Sequence, residues 1–351
     1  MKNLISLFLA LLAGCCGASA LPEGEWAVIN ASCVFMRGEA SYTSENVSQS
    51  RMGTPVQVLE RSGYWVRVRT PEPYEGWVNE LTLSPMPEGY GSLPRYIYVA
   101  EYGHVYAEPS FRAARLCDLR MSDILRAGRF PVADGKDGSW TEVQLWDGRT
   151  GWVPAAEVAD FGRWMADAAY RAAIRSDSAA GCYVDLQKTP KTQVAPASDV
   201  GLPAFSAKNA SSPGPSGEVV STARLFLGAP YMWGGMSAGL FDCSGLVGFC
   251  CFMAGIQLPR DASQQIKCGE PVEFEQMQAG DLVFFGEKRV SHVALCTGPG
   301  RIIHSSQIVR ENSLIAGEPD YYGRNILGIR RIIGHLPEKD LVKNSPLYFS
   351  R

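Results

Sequence analysis

The sequence predicts a multidomain protein, with two small all-β barrels in tandem and then an α+β domain. That last domain combines a cysteine-bearing helix with a hairpin of strands that carries two histidines. Three observations lead there. Eight residues recur at a fixed offset of 75 in the N-terminal half. A stretch rich in proline, serine and alanine then separates that half from the rest. Beyond it an apolar, helix-compatible run opens on Cys243, and two alternating segments each carry one histidine.

The repeat defines the first two units. Arg51, Gly53, Gly63, Trp65, Val68, Gly76, Trp77 and Val78 return as Arg126, Gly128, Gly138, Trp140, Val143, Gly151, Trp152 and Val153. A period this long exceeds a solenoid repeat and reads as two copies of one small domain, near 25–85 and 94–158. Within each copy, Trp65-Val66-Arg67-Val68-Arg69 alternates as a half-buried strand does, and Asp147-Gly148 supplies a turn before Gly151-Trp152-Val153. The signature G-x-W-x-x-V, turn, G-W-V resembles the bacterial SH3-like domain, a small barrel of short strands. Barrel core is the simplest role for the tryptophans, and wall or substrate recognition is the alternative that the resemblance adds.

Composition sets outer limits. A chain of 351 residues is long enough for two or three domains of roughly 100–200 residues. Its 46% hydrophobic and 20% charged residues exclude a mainly disordered chain, and a net charge of −3 gives no electrostatic footprint for nucleic acid. The 36 glycines and 22 prolines favour turns and short strands. Ten cysteines and only four histidines are the unusual counts.

Residues 1–20 read as a signal segment. Lys2 precedes a largely apolar stretch, Leu4–Ala13, which is too short to span a bilayer. Ala18-Ser19-Ala20 suits ordinary cleavage, whereas Leu12-Ala13-Gly14-Cys15 resembles a bacterial lipobox with a lipidated cysteine. Both readings stay open, and both export the protein to the periplasm or cell envelope. Eight cysteines then remain, an even number that permits disulfides outside the cytoplasm. None lies at C-x-x-C spacing or at ligand spacing from a histidine, which argues against a structural zinc. No metal or organic cofactor is implied.

Residues 159–215 are expected to hold a helix and a linker. Ala155–Arg175 is Ala-rich, with Phe161, Trp164, Met165 and Ala168 at helical spacing. From Ser176 to Gly217 prolines sit among Ser, Ala, Lys and Gly.

The third unit, 216–335, carries the chemistry. A helix is expected over Glu218–Leu227, stopped by Gly228-Ala229-Pro230. A second helix runs from Cys243 to Met253 and ends at Gly255, which puts Cys243 in its first turn. A helix N-terminus stabilises a thiolate and lowers its pKa. Cys250 and Cys251, deeper in the helix, read as small core residues. Ser291–Cys296 and Arg301–Ser306 alternate as strands around the turn Gly298-Pro299-Gly300. A hairpin centred near Gly298 would pair residues whose numbers sum to 596, which sets His292 opposite His304. One imidazole would act as base toward Cys243 and the other would fix its tautomer. His104 and His335 read as structural or surface residues, and 336–351 as a C-terminal tail.

Six blocks in order then complete a resemblance: Tyr231–Gly235, Asp242–Gly245, Pro259–Gln264, Gly280–Phe285, Ser291–Ala294 and Ile303–Ser306. Together they resemble the NlpC-type (NlpC/P60) cell-wall cysteine peptidases, which have a papain-like α+β core. The resemblance implies Cys243 as nucleophile, His292 as base and His304 as orienting residue. Two SH3-like copies ahead of such a domain resemble the γ-D-glutamyl-L-diamino acid dipeptidyl-peptidases. These cut L-Ala-γ-D-Glu from Lys or diaminopimelate in stem peptides with a free N-terminus, and their first SH3-like domain narrows the cleft. Two departures stand out: the 176–217 stretch is long, and Cys296 replaces an aromatic or aliphatic residue.

Such a substrate offers an ammonium and a carboxylate. Asp242 and Asp261 suit the first, and Arg260, Ser244 and Tyr231 the second. The resemblance implies that Tyr231, Asp242, Ser244 and Asp261 line the pocket. The plain alternatives are a loop ion pair for Arg260-Asp261 and packing for Trp233. Glu80 and Tyr102 are the candidates for an amine contact from the SH3-like part. The partners expected are peptidoglycan-derived peptides, with no nucleic acid, and a membrane only through a lipid at Cys15. The competing functions are an endopeptidase on intact murein, a non-catalytic wall-binding module and an acyltransferase.

Overall fold

The computed structural model describes residues 21–128, 133–135, 138–181 and 214–350. The leader with Cys15, and Cys182 with most of the 176–217 stretch, lie outside the described residues.

The first β unit contains β1 (Trp26–Ile29), β2 (Val34–Arg37), β3 (Asn46–Ser50), β4 (Pro55–Ser62), β5 (Trp65–Arg69), β6 (Glu75–Asn79) and β7 (Leu83–Pro85). They form one sheet in the order β3-β2-β6-β5-β4-β1-β7. The second unit contains β8 (Arg95–Tyr98), β9 (Tyr102–Tyr106), β10 (Arg115–Arg120), β11 (Ile124–Ala127), β12 (Ala133–Gly135), β13 (Gly138–Gln144), β14 (Thr150–Pro154) and β15 (Val158–Asp160). Its order is β10-β9-β14-β13-β11-β8-β15, with β12 added beside β13. The two orders match position for position. The repeated residues fall at matching points, and close packing explains one repeated pair of glycines. A Cβ on Gly76 would stand 2.9 Å from Met36 Cβ, and one on Gly151 would stand 2.5 Å from Val105 Cγ1. Trp65 and Trp140 are both buried, as core tryptophans should be.

The middle departs from the single helix expected over 155–175. Val158–Asp160 is strand β15, which closes the second sheet against β8. Two helices follow, α1 (Phe161–Ala166) and α2 (Ala168–Gly181). Asp160 caps α1 by accepting from the Arg163 N–H at 2.7 Å, and Asp167 interrupts the run by accepting from the Ala169 and Tyr170 N–H groups. An apolar spacing read across 21 residues hid two capping aspartates.

The third unit begins with α3 (Pro215–Arg224), three residues earlier than expected because Pro215 fits the first helical turn. Then come β16 (Met236–Ser237), β17 (Leu240–Phe241), α4 (Cys243–Met253) and α5 (Ala262–Gln265). A six-stranded antiparallel sheet follows from β18 (Glu270–Pro271), β19 (Leu282–Gly286), β20 (Val290–Gly298), β21 (Arg301–Ser306), β22 (Ile308–Ser313) and β23 (Ile326–Arg331), in the order β18-β23-β19-β20-β21-β22. Helix α4 keeps the expected bounds, capped by Asp242 and stopped at Gly255, whose φ is +81°. It packs on β20 and β21. Cys250 and Cys251 are fully buried in the core, and Cys296 fills the opposite face of the sheet with Val283, Phe285 and Ile302.

The C-terminal residues are no loose tail. Helix α6 (Pro346–Phe349) folds back, with Tyr348 fully buried and its carbonyl accepting from Arg95 Nη2 at 2.7 Å. Around Ile29, Val34, Met36, Val56 and Val68 the first unit has a core of its own. The core of the second unit instead runs on through Phe161 and Trp164 into α3 and α4. Among the described residues no helix is long and apolar enough to cross a membrane, no group of three or more acidic, His or Cys side chains is arranged to hold a metal ion, and the seven described cysteines are all free.

Candidate active site

Cys243 sits in the first turn of α4. Asp242 builds this turn, since its Oδ1 accepts from the Gly245 N–H at 2.7 Å and its Oδ2 from the Gly234 N–H at 3.1 Å. Any side chain at Gly245 would collide with the carbonyl oxygen of Gly235, so the helix start and the Tyr231–Gly235 loop require glycine where they meet. The Cys243 thiol receives hydrogen bonds from the backbone of Val293 and Ser244. Val293 follows His292 directly, so the stretch of β20 that carries the histidine is the one whose backbone reaches the sulphur.

The thiol does not have the depressed pKa expected of a helix N-terminus. Burial pushes it up to about 11, the Asp242 charge adds to this, and the two backbone hydrogen bonds only offset it. Both histidines shift the opposite way. Burial takes His292 down to about 3, helped by the charges of His304, Arg324 and Arg310. Burial takes His304 down to about 4, against the hydrogen bond that its Nε2 donates to Asn312. Each shift favours the neutral form, so the pair rests as thiol and imidazole.

His292 and His304 meet, although not through the expected register. The β20–β21 ladder pairs Leu295 with Ile303 and Cys296 with Ile302, a sum of 598, and shifts again before Gly298 and Arg301. An irregularity at Thr297 adds to the hairpin what the symmetrical turn omitted. A slip of two residues keeps side chains on the same face, and His292 Nε2 lies 2.7 Å from His304 Nδ1 as a diagonal neighbour. His304 Nε2 lies 2.9 Å from Asn312 Oδ1, and Asn312 Nδ2 donates to the Asp320 carbonyl at 2.6 Å. Tyr322 seals this line, with its ring centroid 4.5 Å from His304 and 5.7 Å from His292.

The other candidates divide. Arg260 and Asp242 form a buried ion pair at 2.5 Å, and Arg260 also donates to Ser244 Oγ at 2.9 Å and to Ser48 Oγ at 3.0 Å. Asp242, Ser244 and Arg260 are therefore engaged with one another. Arg260 takes Asp242 as its ion-pair partner, where Asp261 was expected. Asp261 caps α5, is only partly buried, and keeps a carboxyl whose pKa burial raises. Tyr231 is half-buried near Cys243, and its phenol is pushed up to about 12, chiefly by burial. Trp233 is 64% exposed at the rim, which rules out packing behind the site. Glu80 pairs with Arg61 at 3.1 Å, and Tyr102 lies on β9 beside His104; their recorded contacts do not reach Cys243 or its histidines.

Several residues here carried no sequence signal. Strand β3 of the first β unit docks on the loop that bears Tyr231 and Trp233. Asn46 Nδ2 donates to the Trp233 carbonyl at 3.0 Å, and Gln49 Oε1 accepts from the Met236 and Ser237 N–H groups at 2.9 and 3.0 Å. Tyr74 of the same unit lies close enough to Asp261, Arg260 and Asp242 to feel their charges. Pairings across some 187 residues leave no local trace. Asn312 was also missed, because the strand that holds it was not foreseen.

Comparison with known proteins gives the following. Residues 228–331 match the NlpC/P60 family and residues 32–84 the bacterial SH3 domain. A γ-D-glutamyl-L-lysine dipeptidyl-peptidase of Bacillus subtilis (strain 168) is 37% identical over 123 residues, which are 34% of this chain and 41% of that protein. The chain thus aligns with less than half the length of that relative. A protein of the same name from Bacillus cereus (strain ATCC 10987) is 26% identical over 300 residues, 82% of this chain and 75% of that protein. The crystal structure of an NlpC/P60 family protein from Bacillus cereus ATCC 10987 superposes with a TM-score of 0.61 at 20% identity, covering 89% of this chain and all of that one. At that identity the likeness concerns the fold alone.

Proposed function

From the premise that this chain joins a bacterial SH3 domain to an NlpC/P60 cysteine-peptidase domain, we propose that it hydrolyses peptidoglycan stem peptides at the γ-D-glutamyl bond to Lys or diaminopimelate. It would act on stems with a free N-terminal L-Ala and release L-Ala-γ-D-Glu. We read the second β unit as a further SH3-like domain on its matching strand order.

One observation carries the substrate reading. The first β unit closes on the rim of the site and brings Tyr74 beside Asp261, a carboxyl without the ion-pair partner that holds Asp242. A carboxylate so placed suits the ammonium of a free N-terminus. Both relatives named for γ-D-glutamyl-L-lysine cleavage support this reading.

The chemistry follows from the resting neutral pair. Cys243 Sγ attacks the γ-glutamyl carbonyl while its proton passes to His292, so charge appears only as the bond forms. N–H groups at the first turn of α4 receive the oxyanion. The imidazolium then protonates the leaving α-amine as the C–N bond breaks, leaving a thioester. Water, deprotonated by His292, attacks the thioester and frees the acid and the thiol.

Mass spectrometry of products from free, N-acetylated and glycan-linked L-Ala-γ-D-Glu-L-Lys tests the proposal. Release of L-Ala-γ-D-Glu from the free peptide alone, abolished by Cys243→Ala, is expected. Equal cleavage of the linked stems would instead make the protein a murein endopeptidase. Transfer to added hydroxylamine in place of hydrolysis would make it an acyltransferase.

A further inference from the structure

We infer that Asn312 is a positioning residue: it fixes the proton on Nε2 of both histidines and so leaves the Nδ1 lone pair of His292 bare for Cys243. The proton placement follows from hydrogen-bond geometry together with a buried, neutral His304. What the bare nitrogen does rests on the peptidase reading above.

The chain of constraint starts at the main chain. The Asp320 carbonyl can only accept, so the Asn312 atom 2.6 Å from it must be the amide nitrogen. The flipped amide would set two acceptors against each other at that distance. Asn312 Oδ1 therefore faces His304, and because it can only accept, His304 Nε2 carries a hydrogen across 2.9 Å. A neutral imidazole has one hydrogen, so His304 Nδ1 is a bare acceptor. It lies 2.7 Å from His292 Nε2, which must then be the donor. His292 Nδ1 is left without a hydrogen.

His304 stays neutral for three reasons. It is fully buried, Arg310 and Arg324 both disfavour a positive charge on it, and Asn312 offers an amide oxygen where a carboxylate would invite a second proton. Asn312 is itself 9% exposed, and β22 carries it to His304 because His304 pairs with Arg310, two residues away on the same face. Tyr322 presses against both rings and limits their rotation. A single amide, anchored on a backbone carbonyl, thus sets the tautomer two hydrogen bonds away.

Nitrogen-15 spectra of the imidazoles in the native protein at pH 7 test this without a variant. Both histidines should show protonated Nε2 and unprotonated Nδ1. A protonated Nδ1 on either ring would overturn the proposal. Asn312→Asp keeps the acceptor but adds charge and loses the donor to Asp320. His304 should then hold two protons, donate from Nδ1, and force the His292 hydrogen onto Nδ1. The expected loss is on the order of 10²–10⁴-fold in kcat, with KM nearly unchanged and the His292 signals moved to the other tautomer. Asn312→Leu, with no acceptor, should lose roughly 10–100-fold. Native kcat and native tautomers in both variants would overturn the assignment, and if neither variant folds, the native spectrum decides. An inactive native protein with the expected spectrum would remove the peptidase reading and leave the tautomer assignment standing.

Discussion

The two β units share one strand order and one set of repeated residues, yet they hold the third unit in different ways. The first has a core of its own, lends only Val28 and Met52 to the shared one, and touches the site through polar side chains, Asn46, Ser48 and Gln49. The second shares an unbroken apolar core with α1, α3 and α4. Polar contacts between separately folded bodies set geometry at small cost in stability, whereas a shared core makes two bodies fold as one. The first unit is thus built to shape the cleft and the second to support it.

Four measurements sharpen or break this contrast. The largest effect belongs to the shared core. Trp164 is 1% exposed and its Nε1–H donates to the Met253 carbonyl at 3.0 Å. Trp164→Ala should cost about 3–5 kcal/mol by thermal or urea unfolding. A loss under about 1 kcal/mol would mean that the second unit and the peptidase unit unfold independently.

Next comes the polar hinge. Gln49→Ala removes the acceptor for two N–H groups of the rim loop, a change worth about 1–3 kcal/mol. It should raise KM for the free peptide roughly tenfold while moving Tm by only a few degrees. A variant that loses Tm but keeps KM would assign β3 a purely structural part.

The pH profile reads the buried site itself. With His292 at about 3 and His304 at about 4, both below the ordinary 6.5, the base stays unprotonated through weakly acidic conditions. The acid limb of kcat/KM should therefore fall below pH 6. Linkage runs with the same sign: lowered folded values stabilise the protein above pH 6.5, and that contribution is lost as the pH falls toward 3. Stability that rises on acidification from 6.5 would contradict the burial of both rings.

The smallest effect is expected from the positions outside the cleft. Glu80→Gln and Tyr102→Phe should leave kcat/KM within about twofold. A tenfold loss at Glu80 would extend the first unit's contact surface to that corner, and one at Tyr102 would give the second unit a substrate role.

Features fixed locally were legible in the sequence. Helix α4 could be read because its apolar run starts after a capping aspartate and stops at a glycine with positive φ. The two histidine strands could be read from alternation, and the face they share survived the error in register because a slip of two restores it. Asp242, Ser244 and Arg260 were placed at the site, but their bonds to one another were not foreseen, since the pairing of Arg260 with Asp242 at 2.5 Å joins residues 18 apart in the sequence. Asn46, Gln49 and Tyr74 act across domains and Asn312 acts from a third strand, so neither spacing nor composition could reveal them.

Helix α6 bears on the order in which the chain completes itself. Arg95 Nη2 is held by the Tyr348 carbonyl, and Phe161 stacks on Phe349 with ring centroids 5.3 Å apart. During synthesis the first β unit can finish its core as soon as residue 85 has emerged. The second unit cannot, because one wall of its core is made some 190 residues after α1 begins. Until then Phe161 and Arg95 lack their cover, and the nascent chain carries a finished N-terminal unit beside an open apolar surface, where holdase chaperones would bind.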